Sequence, residues 1–270
     1  MGAVTRKETG DLRLAVRGLV AAYRRRDAPV VRGIDVDICR GEVVGVLGPN
    51  GCGKSTFVKA VCGVVPARSG TIVADGTDMG RRKPARRAAT IGYVPQQELS
   101  TGALTVADSL ALGLNRRALG TAAVADIVSV VAARLGLSDL LLTRVVELSG
   151  GQRQRVLIGR SLAIATPYLL LDEPVSSLDL RYQLEIMHIV SDLARTEGVG
   201  VLVVLHDLNL AAAFCDRVVV MERGRVLAEG ATHEVITDDL VHDLYGPVAD
   251  VVDVAGDRFV LPRTNGHRHV

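Results

Sequence analysis

One short stretch of the sequence has the residue types and spacing of a phosphate-binding loop. It has the pattern G-x-x-x-x-G-K-S and consists of Gly48, Pro49, Asn50, Gly51, Cys52, Gly53, Lys54, Ser55 and Thr56. An apolar run precedes it and a helix-like run follows it. Glycines let consecutive backbone N–H groups turn toward a phosphate, and a helix start adds partial positive charge. Lys54 would then reach the β- and γ-phosphates of a nucleotide, and the Ser55 hydroxyl would ligate Mg²⁺.

Two carboxylates, Asp172 and Glu173, directly follow the apolar run at 168–171. In a doubly wound sheet, ligands lie beyond the carboxyl ends of the strands, so these acids belong near the predicted phosphate site. We expect Asp172 to hold Mg²⁺ through water, and Glu173 to act as general base for a water molecule. The alternative is a carboxylate pair that opens a helix at Pro174. It does not explain why both acids follow four apolar residues in a chain with a phosphate loop.

Three more side chains are candidates for the same site. His206 ends the apolar run at 199–205, where it could hydrogen-bond a γ-phosphate oxygen or simply be a capped core residue. A strand that stops at Pro95 delivers Gln96 to the end of the sheet nearest the nucleotide. Tyr23 precedes the phosphate loop and could stack its ring on a purine base, although a tyrosine at a strand end is usually only packing.

A second helix start is typical of an anion site. Ser149 is expected to cap a helix whose first turn contains Gly150, Gly151 and Gln152. The N–H groups of such a turn attract negative charge, so this stretch is a second candidate for contact with phosphate.

Hydrophobic periodicity predicts the elements that position these residues. Alternating residues indicate strands at 12–20 and 34–39. After the helix of the phosphate loop, Pro66, Ser69 and Gly70 are expected to end that element before a short strand at 71–74. Helical periodicity at 106–114 and 124–135 predicts a helical insertion over about 98–162. The rest is predicted as a helix at 183–195, a strand at 199–205, a hairpin at 216–230, helical pieces at 232–245 and a tail at 247–270 with one or two strands.

The composition limits the class of protein. Of the 270 residues, 48% are hydrophobic and 3% aromatic, so the core must consist of Val, Leu, Ile and Ala. The 32 basic and 30 acidic residues leave a net charge of +2, which gives no support to direct binding of nucleic acid. The basic run at 81–87 favours a solvated surface loop, and the alternative is a face near anionic lipid or an acidic partner.

No feature of the sequence predicts export or a membrane span. The chain has no apolar signal-peptide region and no stretch of about eighteen apolar residues, so another chain would have to carry it to a membrane. The four cysteines are interpreted as free thiols in a reducing compartment, because they lack C-x-x-C spacing. Cys52 is a candidate for modification because it lies in the phosphate loop.

In their order along the chain, these motifs closely resemble the ATP-binding cassette (ABC) family over residues 12–245. The signature L-S-G-G-Q at 148–152 is far more specific than the phosphate loop alone. In the terms of that family, Tyr23 resembles the adenine-stacking aromatic and Gln96 the Q-loop glutamine. Asp179 resembles the D-loop aspartate, and His206 the switch histidine.

The resemblance implies an α/β fold: a RecA-like P-loop core with a mixed sheet, an antiparallel β subdomain and an inserted α-helical subdomain. The nucleotide-binding core would comprise 12–97 and 163–245, the helical subdomain 98–162, and a short C-terminal extension 246–270. It implies an ATPase that binds ATP and Mg²⁺, with the metal held by Ser55, Gln96 and Asp172. Two copies would form a head-to-tail homodimer in which Ser149 and Gly151 of one chain close over ATP held by the other.

One cassette without a membrane segment implies an ATPase that powers separate polytopic permease subunits and, indirectly, serves a substrate-binding protein. The resemblance implies that the ATPase is a peripheral subunit at the cytoplasmic face of the cell membrane. Segments 48–56, 178–183, 205–211 and 230–236 resemble, more narrowly, the ATPases of ferric-siderophore, haem and cobalamin importers. The stretch 98–117 is shorter and more aliphatic than in those relatives. Because it borders the surface expected to meet the permease, zinc or manganese importers are the nearest alternative.

Two other classes of protein share part of the pattern. A P-loop kinase or GTPase would share residues 48–56, yet the chain has no N-K-x-D motif and the signature at 148–152 would be unexplained. A soluble ABC protein acting on ribosomes or nucleic acid is the better alternative. Such proteins usually carry paired cassettes or long coiled-coil arms, and neither fits in 270 residues.

Overall fold

The computed structural model describes residues 12–24, 26–96, 103–114 and 116–263. The strands are β1 (Arg13–Ala21), β2 (Val31–Cys39), β3 (Val43–Leu47), β4 (Ala67–Ala74), β5 (Thr77–Asp78), β6 (Ile91–Val94), β7 (Tyr168–Leu171), β8 (Gly200–Val204), β9 (Arg217–Glu222), β10 (Arg225–Ala231), β11 (Ala249–Val254) and β12 (Asp257–Pro262). The helices are α1 (Lys54–Cys62), α2 (Pro84–Ala88), α3 (Val106–Leu110), α4 (Arg116–Arg134), α5 (Gly150–Ile164), α6 (Leu180–Glu197), α7 (Leu208–Phe214), α8 (Thr232–Val235) and α9 (Asp238–Tyr245).

A six-stranded mixed sheet in the order β10-β9-β3-β8-β7-β6 forms the main core. Five of its strands are parallel, and β10 pairs antiparallel with β9. Strands β3, β7 and β8 are buried along their whole length, which explains why they read as continuous Val and Leu runs without alternation. The register pairs Val46 with Val204 and Leu171 with Val203. The carboxyl ends of these three strands are therefore level, and the predicted site residues follow them.

An antiparallel sheet in the order β2-β1-β4-β5 lies beside the main sheet and contributes to the same core as α1. The predicted mixed sheet and antiparallel subdomain are thus confirmed. The prediction for β4 was wrong at its start, because the strand begins at Ala67 and runs through Ser69 and Gly70. Gly70 has φ 98°, and a Cβ there would lie 2.7 Å from the carbonyl oxygen of Arg17. This glycine therefore permits the irregular antiparallel pairing of β4 with β1 and does not end an element.

Helices α3, α4 and α5 share a hydrophobic cluster of their own, which includes Leu110, Val131 and Val156. Helix α4 begins well before the predicted residue 124 and is interrupted at Gly120, whose φ of 76° and ψ of 164° are not helical. The predicted boundary between 97 and 98 lies outside the described residues, so the division of the chain there stays a prediction. None of the helices in the described segments combines the length and apolarity needed to cross a membrane.

The basic run at 81–87 does not form a simple solvated loop. It enters α2, and the half-buried Arg87 side chain donates to the carbonyl oxygens of Ala60 and Val61, each at 3.1 Å, near the end of α1. Burial lowers the pKa of this guanidinium. Arginine is favourable there because unpaired carbonyls make the end of a helix negative. The surface-loop prediction was therefore wrong for Arg87, whereas Arg81, Arg82, Lys83 and Arg86 are exposed.

The C-terminal region consists of α8, α9 and the antiparallel hairpin β11–β12, so the tail contains two strands. Ala249 and Val260 of this hairpin belong to the same buried cluster as α6 and β8. The hairpin is thus attached to the main core. The two tail histidines, His267 and His269, lie outside the described residues.

Candidate active site

The loop at 48–53 connects the end of β3 to the start of α1, as the motif predicts. Gly48, Gly51 and Gly53 all have positive φ angles. A Cβ at Gly48 would lie 2.1 Å from the carbonyl oxygen of Met221 in β9, so only glycine allows this approach. No side chain caps α1 at Gly53. The N–H groups of its first turn therefore lack a side-chain acceptor and suit an anion.

The buried side chain of Lys54 lies under this loop. Its ammonium group donates to the carbonyl oxygens of Gly48 at 2.7 Å and Pro49 at 3.1 Å. These two bonds hold the positive charge at the base of the loop. Because the group is buried, its attraction for an anion is weakened less by solvent than it would be at the surface.

A cavity of about 140 Å³ lies beside the loop and brings in one residue from another strand end. Its lining consists of Val30, Asn50, Gly51, Gly53, Lys54, Ser55, Thr56 and Glu173. The predicted loop and the predicted general base therefore meet at one cavity. Cys52 is buried outside this lining, and burial raises the pKa of its thiol. This position disfavours modification of Cys52, which its place in the loop had made a candidate, since the thiolate is the reactive form.

Two residues hold the carboxylate of Glu173, one at each oxygen. Gln96 donates through Nε2 to Oε2 at 2.5 Å, and the Nε2 of His206 lies 2.6 Å from Oε1. Glu173 has φ 53°, a left-handed conformation that is uncommon for a residue with a side chain. Such backbone positions cluster at functional sites. The structure thus brings together three side chains that follow β6, β7 and β8.

Asp172 is the most deeply buried acid of the site, with 1% of its surface exposed. Its Oδ2 accepts from the Tyr93 hydroxyl at 3.4 Å and lies 3.8 Å from the Lys59 ammonium. Its Oδ1 is buried and has no hydrogen-bond partner in the described part of the chain. A buried acceptor without a partner is costly, which fits a carboxylate that awaits a cation or a water molecule.

Sequence reasoning missed both neighbours of Asp172. Lys59 follows Lys54 by five residues on α1, a spacing that does not put the two lysines on one face of the helix and so gives no local signal. No local signal points to Tyr93, which reaches Asp172 only because β6 and β7 are adjacent. Burial first, and then the charge of Asp172, raise the pKa of the Tyr93 hydroxyl, so it stays a donor.

Tyr23 lies next to the phosphate loop and is not packed in a core. Its hydroxyl is 3.2 Å from Oγ1 of Thr56, and 55% of the residue is exposed. An exposed aromatic face beside a phosphate loop suits stacking on a base. The geometry therefore favours this interpretation of Tyr23 over simple packing.

The signature residues lie apart from this cavity. Ser149 caps α5, where its hydroxyl accepts from the N–H of Gln152 and its own N–H donates to the Gln152 side chain. A Cβ at Gly151 would lie 2.9 Å from the Tyr182 ring, and Asp179 caps α6 by accepting from the N–H of Tyr182 at 3.2 Å. Among the described residues, the cavity lining includes neither Asp179 nor any of residues 149–152. Within one chain, the signature residues 149–152 therefore do not line the cavity beside the phosphate loop.

The family model, the related sequences and the solved structure that match this chain are all of transport proteins. The family model described as ABC transporter matches residues 31–176. The chain is 36% identical over 263 residues to the haemin import ATP-binding protein HmuV of Nocardia farcinica, covering 95% of this chain and 91% of that one. It is 39% identical over 210 residues to the cobalamin import ATP-binding protein BtuD of Halobacterium salinarum, covering 77% of this chain and 53%, about half, of that relative. A solved structure assigned to a metal-chelate type ABC transporter, in an inward-facing conformation, matches with a TM-score of 0.77 at 25% identity, covering 94% of this chain and 98% of that one.

Proposed function

We propose that this chain, which belongs to the ABC transporter family, is the ATPase of an importer for an iron siderophore, haem or cobalamin. The observation that carries the hydrolytic part of this function is the position of Glu173, held by Gln96 and His206 at the phosphate-loop cavity. The haemin and cobalamin import relatives, and the likeness to a metal-chelate type transporter, support the cargo class.

In this proposal, residues 48–56 bind the phosphates of ATP. The glycines present backbone N–H groups, Lys54 contributes a buried positive charge, and Tyr23 stacks on the adenine. Binding of the phosphates would exchange the two bonds of Lys54 to loop carbonyls for contacts with phosphate oxygens. The loop geometry with its three positive-φ glycines is already formed, so little reorganisation is needed.

Glu173 is the proposed general base. It takes a proton from the attacking water, while His206 hydrogen-bonds a γ-phosphate oxygen. In the structure both carboxylate oxygens of Glu173 are engaged. Each carboxylate oxygen keeps a second lone pair, so Glu173 can accept a hydrogen bond from water while both contacts persist.

In the same proposal, Ser55, Gln96 and Asp172 would hold Mg²⁺. Asp172 has a buried oxygen without a partner among the described residues, and Ser55 lines the cavity. Gln96 donates through Nε2, which leaves its Oε1 carbonyl as a metal ligand. Oxygen ligands of this kind suit Mg²⁺, which keeps several waters. When bound, Mg²⁺ would neutralise charge on the β- and γ-phosphate oxygens.

The separation of the signature from the cavity supports a site completed by a second copy. Ser149, Gly150, Gly151 and Gln152 of one chain, with Asp179, would close over ATP bound to the other chain in a head-to-tail homodimer. The first-turn N–H groups of Gly150 and Gly151 have no intrahelical acceptor and suit the γ-phosphate. In the capping box, Ser149 and Gln152 hold this turn in place.

The dimer would be peripheral to the cell membrane, at its cytoplasmic face, and attached to polytopic permease subunits. A substrate-binding protein would deliver the cargo to those permease subunits. Coexpression of a tagged chain with a candidate permease tests this assembly. We expect the two proteins to purify together in detergent and to hydrolyse ATP. Recovery of the chain with ribosomes or nucleic acid, and not with the permease, would contradict the transporter assignment.

The cargo is tested in vesicles that contain the complete transporter. The substrate-binding protein would be loaded in turn with a ferric siderophore, haem, cobalamin, Zn²⁺ or Mn²⁺, and uptake would be measured with ATP inside. We expect one of the three metal chelates to be taken up, and no uptake in vesicles that carry Glu173→Gln. Uptake of Zn²⁺ or Mn²⁺ alone would overturn the proposed cargo and leave the ATPase function intact.

A further inference from the structure

The C-terminal hairpin β11–β12 is joined to α7, the short helix that follows His206. The side chain of Asn209 makes two hydrogen bonds to one residue of β12. The N–H of Val260 donates to its Oδ1 at 2.7 Å, and its Nδ2 donates to the Val260 carbonyl oxygen at 3.2 Å. The amide thus pairs with the edge of the hairpin as the backbone of a neighbouring strand would. Val260, Leu210 and Ala211 also share one hydrophobic cluster.

Helix α7 depends on such anchors because it has only seven residues. Isolated helices of this length are marginal in water, so tertiary contacts decide where the helix lies. Its start is set by Asp207, whose Oδ1 accepts from the backbone N–H of Asn209 at 2.7 Å. His206 immediately precedes this cap and lies 2.6 Å from Glu173.

A continuous series of contacts therefore runs from the hairpin to the proposed general base. It passes from Val260 to Asn209, along the cap at Asp207 to His206, and on to Glu173. The steps from Val260 to His206 are hydrogen bonds or a peptide link, and the last step is the 2.6 Å contact between the His206 and Glu173 side chains.

The hairpin is itself fixed on its other side. Arg258 of β12 donates to the Ile236 carbonyl oxygen at 3.0 Å, and the N–H of Val251 in β11 donates to Asp238 at 2.7 Å. His242 of α9 contacts the carbonyl oxygen of Ala249 at 3.0 Å. The hairpin is thus a fixed support against which α7 can be held.

We propose that Asn209 is a positioning residue for ATP hydrolysis, and that the hairpin β11–β12 acts through it to hold His206 at the γ-phosphate end of the site. The proposal rests on the proposed function, because it uses the roles given there to His206 and Glu173. The recorded hydrogen bonds of the Asn209 side chain go to Val260 and not to Glu173 or the phosphate loop. Its effect must therefore pass through the placement of α7.

Steady-state ATP hydrolysis by the full chain, with its permease where hydrolysis requires it, is the first measurement. For Asn209→Ala we expect kcat to fall about tenfold and KM for ATP to stay within about twofold of the wild-type value, since a misplaced group slows the chemical step and leaves phosphate binding intact. Asn209→Asp keeps the acceptor for the Val260 N–H and loses the donor, so its loss should be smaller. Asp257→Ala, at an exposed position of the same hairpin, is the matched control.

Two further measurements separate positioning from general destabilisation. Hydrogen exchange followed by mass spectrometry should be faster in Asn209→Ala at 205–214 and unchanged at 48–62. In a His206→Ala background, Asn209→Ala should change the residual rate by less than about twofold, because the two residues would act along one path.

An unchanged kcat in Asn209→Ala would overturn the proposal, and so would faster exchange throughout the chain or an undiminished effect in the His206→Ala background. A wild-type chain and permease that do not hydrolyse ATP would instead contradict the proposed function. In that case, the exchange at 205–214 still decides whether Asn209 holds α7.

Discussion

The Nε2 of His206 lies 2.6 Å from Oε1 of Glu173, although the two residues follow different strands. The contact exists because β7 and β8 are parallel neighbours whose carboxyl ends are level. It places an imidazole that suits a phosphate oxygen against a carboxylate that suits a water molecule. Gln96, which follows β6, holds the other oxygen of the same carboxylate.

Glu173→Gln keeps the shape of this group and removes its basicity. We expect ATP hydrolysis to slow by about 10² to 10⁴, the usual contribution of a positioned general base, while ATP still binds. Because hydrolysis would reopen the proposed closed dimer, the variant should accumulate as an ATP-loaded dimer in size-exclusion chromatography with ATP and Mg²⁺. The exposed Glu234→Gln is the control. If Glu173→Gln hydrolyses ATP at nearly the wild-type rate, the base lies elsewhere, and His206 is the next residue to test.

Lys54→Ala removes the buried charge beneath the phosphate loop. We expect ATPase activity to be abolished and nucleotide binding, measured by isothermal titration calorimetry, to weaken at least about tenfold, because no other loop side chain is cationic. Lys83→Ala, which removes an exposed lysine, should bind like the wild type. Wild-type turnover in Lys54→Ala would contradict the assignment of the loop.

Gly48 and Gly51 differ in what a methyl group would meet. At Gly48 it would lie 2.1 Å from the Met221 carbonyl oxygen, whereas at Gly51 it would meet open space. We expect Gly48→Ala to lower the free energy of unfolding by about 2 to 4 kcal/mol and to weaken ATP binding, since backbone must move. Gly51→Ala should cost about 1 to 2 kcal/mol, from its positive φ alone. Urea unfolding gives both values, and equal losses would show that contact with β9 is unimportant.

Ser149→Arg places a long cation at the start of α5, on the side proposed to close over the other chain. ATP should still bind to the monomer, because Ser149 does not line the cavity. Dimerisation with ATP and Mg²⁺ should be lost in size-exclusion chromatography, ideally in the Glu173→Gln background that accumulates dimer. Arg153→Ala, which changes an exposed residue one turn further along α5, tests whether any change on this helix has the same effect. An unchanged dimer population in Ser149→Arg would mean that the signature helix is only structural.

Burial raises the pKa of all four thiols, that of Cys62 to about 12. Since the thiolate is the nucleophile, the native protein should react with Ellman's reagent at pH 8 far more slowly than the protein in guanidinium chloride. A folded-state pKa above the unfolded value stabilises the fold below the ordinary thiol pKa, near 8.5, and this contribution is lost as the pH rises toward 12. Rapid labelling of Cys52 in the native protein would contradict its burial.

Much of the fold was predictable because its signals are local. The phosphate loop lies between β3 and α1, and Ser149 caps α5 through a capping box formed by residues three apart. The start of β4 was predicted wrongly because the glycine at 70, of a type that often ends an element, lies instead at an irregularity in the pairing of β4 with β1. Arg87 was misjudged for a related reason. A charge run indicates exposure on average, and only the end of α1 beside it explains why one of its members is half-buried.

The sequence by itself determined the family, the phosphate loop and the acids and histidine that end the buried strands, because each motif depends on backbone geometry over a few consecutive residues. Only the tertiary structure decided which side chains meet. The Tyr93 hydroxyl and Lys59 ammonium reach Asp172, and Asn209 reaches Val260, because strand order and helix packing bring together residues that are distant along the chain. Patterns of a few consecutive residues do not predict such pairings. They arise when the parallel strands align their carboxyl ends and the C-terminal hairpin packs against α7.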